Sequence, residues 1–290
     1  MGGFCQKALV YVLGLSIGTL SVGFCLGFYA AGYDSEVEDF KLDTSMKKSV
    51  FNALGPICAI AGGPIVNFAI QRYGRKYPTM IASLVVIVGW VLIIATKTSY
   101  RALAYVGRGI SGLGVGAVST VNPVYIAELS PTDVRGAYGV MSQLFCSIGA
   151  LLIYFFGIWL KWRPLSGIAM APPAISILCL FFIPESPAFK RMDKKDKKKQ
   201  ENLFQKKYMR AFFISLLIVI FQQFSGINAL LTNLTVIFSD SNINLDPSVS
   251  SVIVTSAQVI TVACSTPLVE LLGRRATWWI SSIGQGVFLL

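Results

Sequence analysis

Apolar residues run along this chain in long stretches separated by short polar turns, and they do not alternate with the period of a strand. The stretches lie at about 8 to 33, 50 to 70, 79 to 96, 102 to 125, 137 to 160, 164 to 183, 211 to 234 and 249 to 271, and a ninth begins near 277 and runs to Leu290. An α-helix needs roughly 20 mostly apolar residues to cross a hydrocarbon core of about 30 Å, and each complete stretch is of that order. Backbone N–H and C=O groups in lipid must be satisfied within their own segment, so the pattern predicts eight complete membrane-spanning helices and the start of a ninth. Strand barrels are excluded by the missing alternation. A cleaved signal peptide accounts for a single N-terminal run and not for an array. The expected fold class is all-α, a polytopic membrane helical bundle.

Composition agrees: 54% of residues are hydrophobic, 13% are charged and the mean hydropathy is +0.65, outside the balance of a soluble domain. Charge then orients the array. With a cytoplasmic N-terminus, the inner set comprises Lys7, Arg72, Arg75, Lys76, Arg135, the ten Lys and Arg residues from Lys190 to Arg210, Arg274 and Arg275, which is 17 of the 25 cations. Asp34, Glu36, Glu38, Asp39, Asp43, Asp240 and Asp246 fall on the other side. The positive-inside rule therefore predicts an integral membrane protein with a cytoplasmic N-terminus, and the expected location is the plasma membrane.

The loop from Lys190 to Arg210 supplies most of the net charge of +11. Basic clusters also mark phosphate-binding surfaces, but here there is neither aromatic interleaving nor zinc-ligand spacing, so no nucleic-acid partner is expected. A basic stretch beside a span is a topology determinant with attraction for anionic headgroups, which makes the lipid bilayer the expected partner. The chain has no histidine, which removes the usual general base and the commonest metal ligand. Cys5, Cys25, Cys58, Cys146, Cys179 and Cys264 form no CxxC pair and read as small hydrophobes. The expectation is a protein that is not an enzyme, with no catalytic residues, no metal site and no cofactor. The sequon Asn233-Leu234-Thr235 lies at the end of a span, too near the membrane for use.

Two short turns built on Gly-Arg, QRYGRK (Gln71 to Lys76) and ELLGRRAT (Glu270 to Thr277), lie six spans apart. They divide the chain into residues 1–183, a six-helix bundle; 184–210, a short basic loop; and 211–290, a partial second bundle. Three further motifs follow in order. GRGISGLGVGAVSTVNPVYIAELSPTDVRG (Gly107 to Gly136) covers the fourth span and the following loop, PESP (Pro184 to Pro187) follows the sixth, and QQFSGINA (Gln222 to Ala229) lies in the seventh. Together they resemble the sugar transporter family of the major facilitator superfamily, over essentially the whole chain, and the PVYIAELSP wording resembles its trehalose-transporter branch. The resemblance implies the major facilitator fold with about 8 to 9 of 12 helices present, the missing ones at the C-terminal end. It also implies transport of a sugar, a hexose or trehalose, by alternating access.

A polyhydroxyl substrate loses many hydrogen bonds to water on entering a protein, and carboxamides return donors and acceptors in pairs. The mid-span carboxamides Gln143, Gln222, Gln223, Asn228 and Gln258 are the candidate substrate-binding residues, at positions where the resemblance places sugar contacts. Interhelical hydrogen bonding is the competing role for each. On an unbroken helix Gln222 and Asn228 would point about 120° apart, so a break near Ser225-Gly226 is expected to re-aim the second half, unless Gly226 serves only close packing. The resemblance implies a cytoplasmic gate of ion pairs across the two halves, drawn from Arg72, Arg75, Glu128, Arg135, Glu185, Glu270, Arg274 and Arg275. Helix-end charges that only complement dipoles are the alternative.

Family members that couple to protons carry a carboxylate in the first helix, whereas residues 8 to 33 contain no Asp or Glu, which favours a uniporter. Departures from the family pattern include Ala188 where Arg commonly follows PESP, Gln71 where Asp is common, and Gln258 where Asn is usual. Two other readings stay open: a truncated, non-transporting paralogue or fragment acting only through membrane-protein association, and a transporter of another small solute. The sequence leaves the oligomeric state open.

Overall fold

The computed structural model describes residues 2–41, 43–97, 100–131, 134–191, 206–240 and 246–289. In chain order these form α1 (Gly2–Ala31), α2 (Tyr33–Phe40), α3 (Ser45–Tyr73), α4 (Lys76–Ile94), α5 (Ala102–Leu129), α6 (Arg135–Gly157), α7 (Trp162–Ala169), α8 (Ala171–Phe182), α9 (Pro187–Arg191), α10 (Lys206–Phe224), α11 (Ile227–Thr232), α12 (Leu234–Asp240) and α13 (Pro247–Leu289). Seven segments are long and apolar enough to cross a membrane: Ala8–Ala31, Ser45–Tyr73, Lys76–Ile94, Ala102–Leu129, Arg135–Gly157, Trp162–Phe182 and Pro247–Val269. The chain is therefore an all-α membrane bundle.

One expected span departs from the pattern. The apolar run at 211 to 234 is not a single helix: α10 stops at Phe224, Gly226 takes a left-handed conformation (φ 73°, ψ 5°), and α11 starts afresh at Ile227. Periodicity cannot register such a break, because the apolar run continues through it while the backbone turns at a residue without a Cβ. The expected eighth and ninth helices are joined in α13, which bends at Gly273. Gly74 and Gly273, the glycines of the two Gly-Arg turns, share one backbone conformation, with φ 88° and ψ −167° at the first and φ 78° and ψ 157° at the second. That region is essentially closed to any residue bearing a Cβ, so both turns depend on glycine.

Spans one to six form one packed unit in which α3 and α4 lie against α5 and α1 lies against α6. Close approach of α3 to α5 rests on Gly112 and Gly116, where a Cβ would overlap the carbonyl oxygens of Gly55 and Ala59. Small residues four apart let two helix backbones touch in a medium that supplies no hydrophobic driving force. Gly112→Ala is expected to cost about 1–2 kcal/mol by overpacking, read as a lowered melting temperature of the purified chain.

The packed unit has an aromatic core at the α2 end, where Phe28 meets Trp90 at 4.8 Å and Phe40 meets Trp162 at 4.7 Å between ring centroids. A second core at the opposite end gathers Val12, Leu15, Tyr125, Ile126, Leu180 and Ile183. On the outside, Phe68, Ile81, Phe181 and Phe182 are exposed, an apolar belt that lipid covers. Beyond Lys206 the packing thins: α11 and α12 rest on α1, and α13 rests on α6 and α12. Residues 212–224 of α10 are exposed throughout.

Candidate functional site: an amide-lined cavity and a charged cluster

The break at Gly226 builds the first site. It folds α11 back so that Asn228 Nδ2 donates to Gln223 Oε1 at 2.9 Å, while Ser225 Oγ closes the turn on the Gln222 carbonyl at 2.6 Å. Two adjoining cavities of about 820 Å³ and 500 Å³ lie between this segment and α1, α3 and α5, and both are lined by Asn52, Gln223, Asn228 and Thr232. The larger also reaches Tyr29, Tyr33, Lys48 and Asn233; the smaller reaches Cys25, Arg108, Ser119 and Thr120. Among the described residues, no Asp or Glu lines either cavity. Hydrogen bonds tie the segment to the earlier spans: Asn52 Nδ2 donates to Asn233 Oδ1 at 3.0 Å, and the Tyr154 hydroxyl donates to the Leu231 carbonyl.

Of the five carboxamides singled out in the sequence, the structure therefore brings together Gln223 and Asn228. Gln222 on α10 and Gln143 on α6 are exposed, as Gln223 and Asn228 are, but neither lines these cavities. Gln258 is half-buried on α13 with Oε1 unpartnered, also outside them. The reason Gln223 meets Asn228 and Gln222 does not is rotational, since adjacent positions on a helix differ by 100° and only one of them faces the returning strand of chain. Asn52 was missed, although a carboxamide inside the apolar run at 50 to 70 satisfies the same criterion. Asn122 satisfies it too and turns out to be interhelical glue: it is buried and donates to the Leu15 carbonyl at 3.0 Å.

The second site lies at the opposite end of the bundle from α2. Arg75 Nη2 pairs with Glu128 Oε1 at 2.7 Å, and Ser186 Oγ donates to the other oxygen of Glu128. Glu185 Oε1 accepts the Arg75 backbone N–H at 2.9 Å, and its carboxylate also takes the N–H of Lys76, so it caps the start of α4, where a negative charge meets the free donors of the first turn. Lys76 Nζ donates to the Ile183 carbonyl at 3.0 Å, and Tyr125 donates to the Pro184 carbonyl at 2.7 Å. Gly74 lets the carboxylate in, because a Cβ there would lie 2.5 Å from Glu185 Oε2. The cluster joins the loops after the second, fourth and sixth spans.

Of the expected gate residues, Arg75, Glu128 and Glu185 thus meet, at the ends of the second, fourth and sixth spans. Arg72 and Arg135 are exposed and form no ion pair among the described residues, and Arg275 is exposed as well. The side chains of Glu270 and Arg274 lie outside what the structure describes. Lys76, Tyr125 and Ser186 join the cluster through hydrogen bonds that no charge pattern signals. The basic loop lies mostly in 192–205, outside the described residues. Among the described residues no group of His, Cys, Asp and Glu could hold a metal ion.

The chain resembles known proteins over most of its length. The family model described as "Sugar (and other) transporter" matches residues 12–207 and 188–290. The chain is 30% identical to Sugar transporter ERD6-like 6 of Arabidopsis thaliana over 98% of its own length and 65% of that protein's. It is 28% identical to the facilitated trehalose transporter Tret1 of Apis mellifera ligustica, and 28% identical to the bovine facilitated glucose transporter member 8 of solute carrier family 2. It covers 62% and 64% of those two, so it spans a little under two thirds of the length of these relatives. Among solved structures, the proton:xylose symporter bound to 6-bromo-6-deoxy-D-glucose superimposes with a TM-score of 0.78 at 21% identity, covering 91% of this chain and 69% of that one. That likeness carries the fold alone. With the family matched from near one end of the sequence to the other, on a fold built of the same spans, this chain belongs to the sugar transporter family of the major facilitator superfamily.

Proposed function

We propose that this chain serves transmembrane transport of a sugar, a hexose or trehalose, by facilitated diffusion through alternating access. The observation that carries the reading is the pair of adjoining cavities lined by Asn52, Gln223, Asn228 and Thr232, with no acidic side chain among the described residues of their walls. Neutral donors and acceptors at a cavity wall suit a polyhydroxyl substrate, whose lost water contacts they replace one for one. The relatives that bear the names of trehalose and glucose transporters support the substrate class.

In this reading residues 1–183 form the first bundle, 184–210 the connecting loop and 211–290 part of the second, with the N-terminus and the Arg75 cluster on the cytoplasmic side of the plasma membrane. Gln223 and Asn228 contact the substrate, and the Arg75–Glu128–Glu185 cluster biases the gate on that side. Gln143, Gln222 and Gln258 stand outside the contact set in the state described. The absence of Asp and Glu from residues 8 to 33 supports uniport. The test is equilibrium binding of radiolabelled glucose and trehalose to the purified chain in nanodiscs. Saturable binding that unlabelled sugar displaces is expected, and no displaceable binding of either sugar would remove the proposal.

A further inference from the structure

Glu36, on α2 just beyond the first span, is fully buried, and neither of its carboxyl oxygens has a hydrogen-bond partner among the described residues. A Cβ on Gly32 would come within 2.8 Å of its Oε1, so the carboxyl lies folded over the junction of α1 and α2. The titratable and charged groups around it are few. From α1 comes Tyr29, and from α5 comes Arg108, which acts on Glu36 through space without forming an ion pair. Arg108 is committed elsewhere: Nη1 donates to the Cys25 carbonyl at 3.3 Å, the guanidinium lies 5.6 Å from the ring centroids of both Phe28 and Phe51, and Nε is unpartnered.

Among the described residues, the charged side chains of α3, α7 and α2 are engaged elsewhere or exposed. On α3, Lys48 donates to the Tyr33 hydroxyl at 2.9 Å. On α7, Arg163 donates to the Thr96 carbonyl and stacks on Trp162, whose ring N–H is taken by Asp39 at 2.6 Å. On α2 itself, Tyr33 is bound to Lys48 and Asp39 to Trp162, and Glu38 is exposed. A carboxylate that meets neither water, nor a donor, nor a direct counter-ion is disfavoured against its neutral form.

We propose that Glu36 is a proton-binding site whose neutral form seats α2 on the end of the bundle. Burial pushes its carboxyl well above the usual carboxylate range, and Arg108 opposes this only in part. The folded state therefore binds a proton that the unfolded chain releases near pH 4, so the stability from this group is complete at low pH and is lost as pH rises through the raised value. Because Tyr29 and Tyr33 also line the larger cavity, the seating of α2 reaches its wall. The inference holds whether or not that cavity takes sugar.

Thermal unfolding of the purified chain in nanodiscs, from about pH 5 to about pH 8.5, tests it. The wild-type midpoint is expected to fall by several degrees as pH rises, and Glu36→Gln is expected to flatten the profile and to melt above wild type at the alkaline end. An infrared carbonyl stretch of a protonated carboxyl is expected in the wild-type protein at neutral pH and lost in Glu36→Gln; this reading on wild type stands even where the variant folds poorly. A flat wild-type profile, a variant that melts lower at every pH, or no protonated-carboxyl band at neutral pH would each overturn the assignment.

Discussion

Glu128→Ala is expected to lower the stability of the purified chain by about 2–3 kcal/mol, short of the roughly 3–5 kcal/mol for breaking a fully buried pair, because Arg75 and Glu128 are 12% and 18% exposed. The loss has two parts: the Arg75 guanidinium keeps its place without a counter-charge, and the Ser186 hydroxyl loses its acceptor. At a chain of this size each kcal/mol is worth roughly 2–4 °C in melting temperature. The decisive measurement is a double-mutant cycle with Arg75→Ala, in which the two changes are expected to couple by about 1 kcal/mol or more. Strict additivity, within about 0.5 kcal/mol, would mean that the pair seen at 2.7 Å contributes nothing as a pair.

Gln223→Ala and Asn228→Ala are each expected to weaken sugar binding about tenfold or more, the scale of one lost hydrogen bond whose partner stays unpaired inside the cavity. Their effects are expected to combine to less than the product, because the two side chains hold each other at 2.9 Å and either truncation already frees the other. Gln222→Ala, one residue away but facing outward, is expected to leave affinity within about twofold. Equilibrium binding of labelled glucose and trehalose to the three variants makes the comparison. Equal losses at 222 and 223 would show that the face assigned to the cavity is wrong, and no loss at 223 or 228 would take both residues out of the site.

The two glycine turns mark where sequence and structure agree most closely. The repeat of Gly-Arg at positions 74–75 and 273–274 was legible because a backbone conformation closed to other residues leaves its mark as an unavoidable glycine. Gly226 was legible for the same reason, as a place where a helix could break. The direction of the break was not, and with it went the choice between Gln222 and Gln223. Glu36 shows the opposite case: among seven acidic residues assigned to the same side of the membrane it looked like an ordinary loop charge, and nothing local distinguishes it from Glu38, which is exposed. Arg108 is similar, one of the cations outside the inner set, yet it is 1% exposed and lies against two phenylalanine rings.

What the sequence determined by itself was the placement of the apolar runs, the six-span spacing of the two glycine turns and most of the carboxamides available to a polar cavity. These follow from one-dimensional quantities: the length needed to cross lipid, the sign of loop charge and the residue types that survive at a positive φ. Only the tertiary structure decided which carboxamides share a wall, that Arg75, Glu128 and Glu185 meet at the ends of three spans, and that Glu36 turns inward. Each of those depends on the rotation of one helix about its axis relative to another, and a rotation of one residue, 100°, moves a side chain from cavity to lipid without changing the hydropathy of the stretch that carries it.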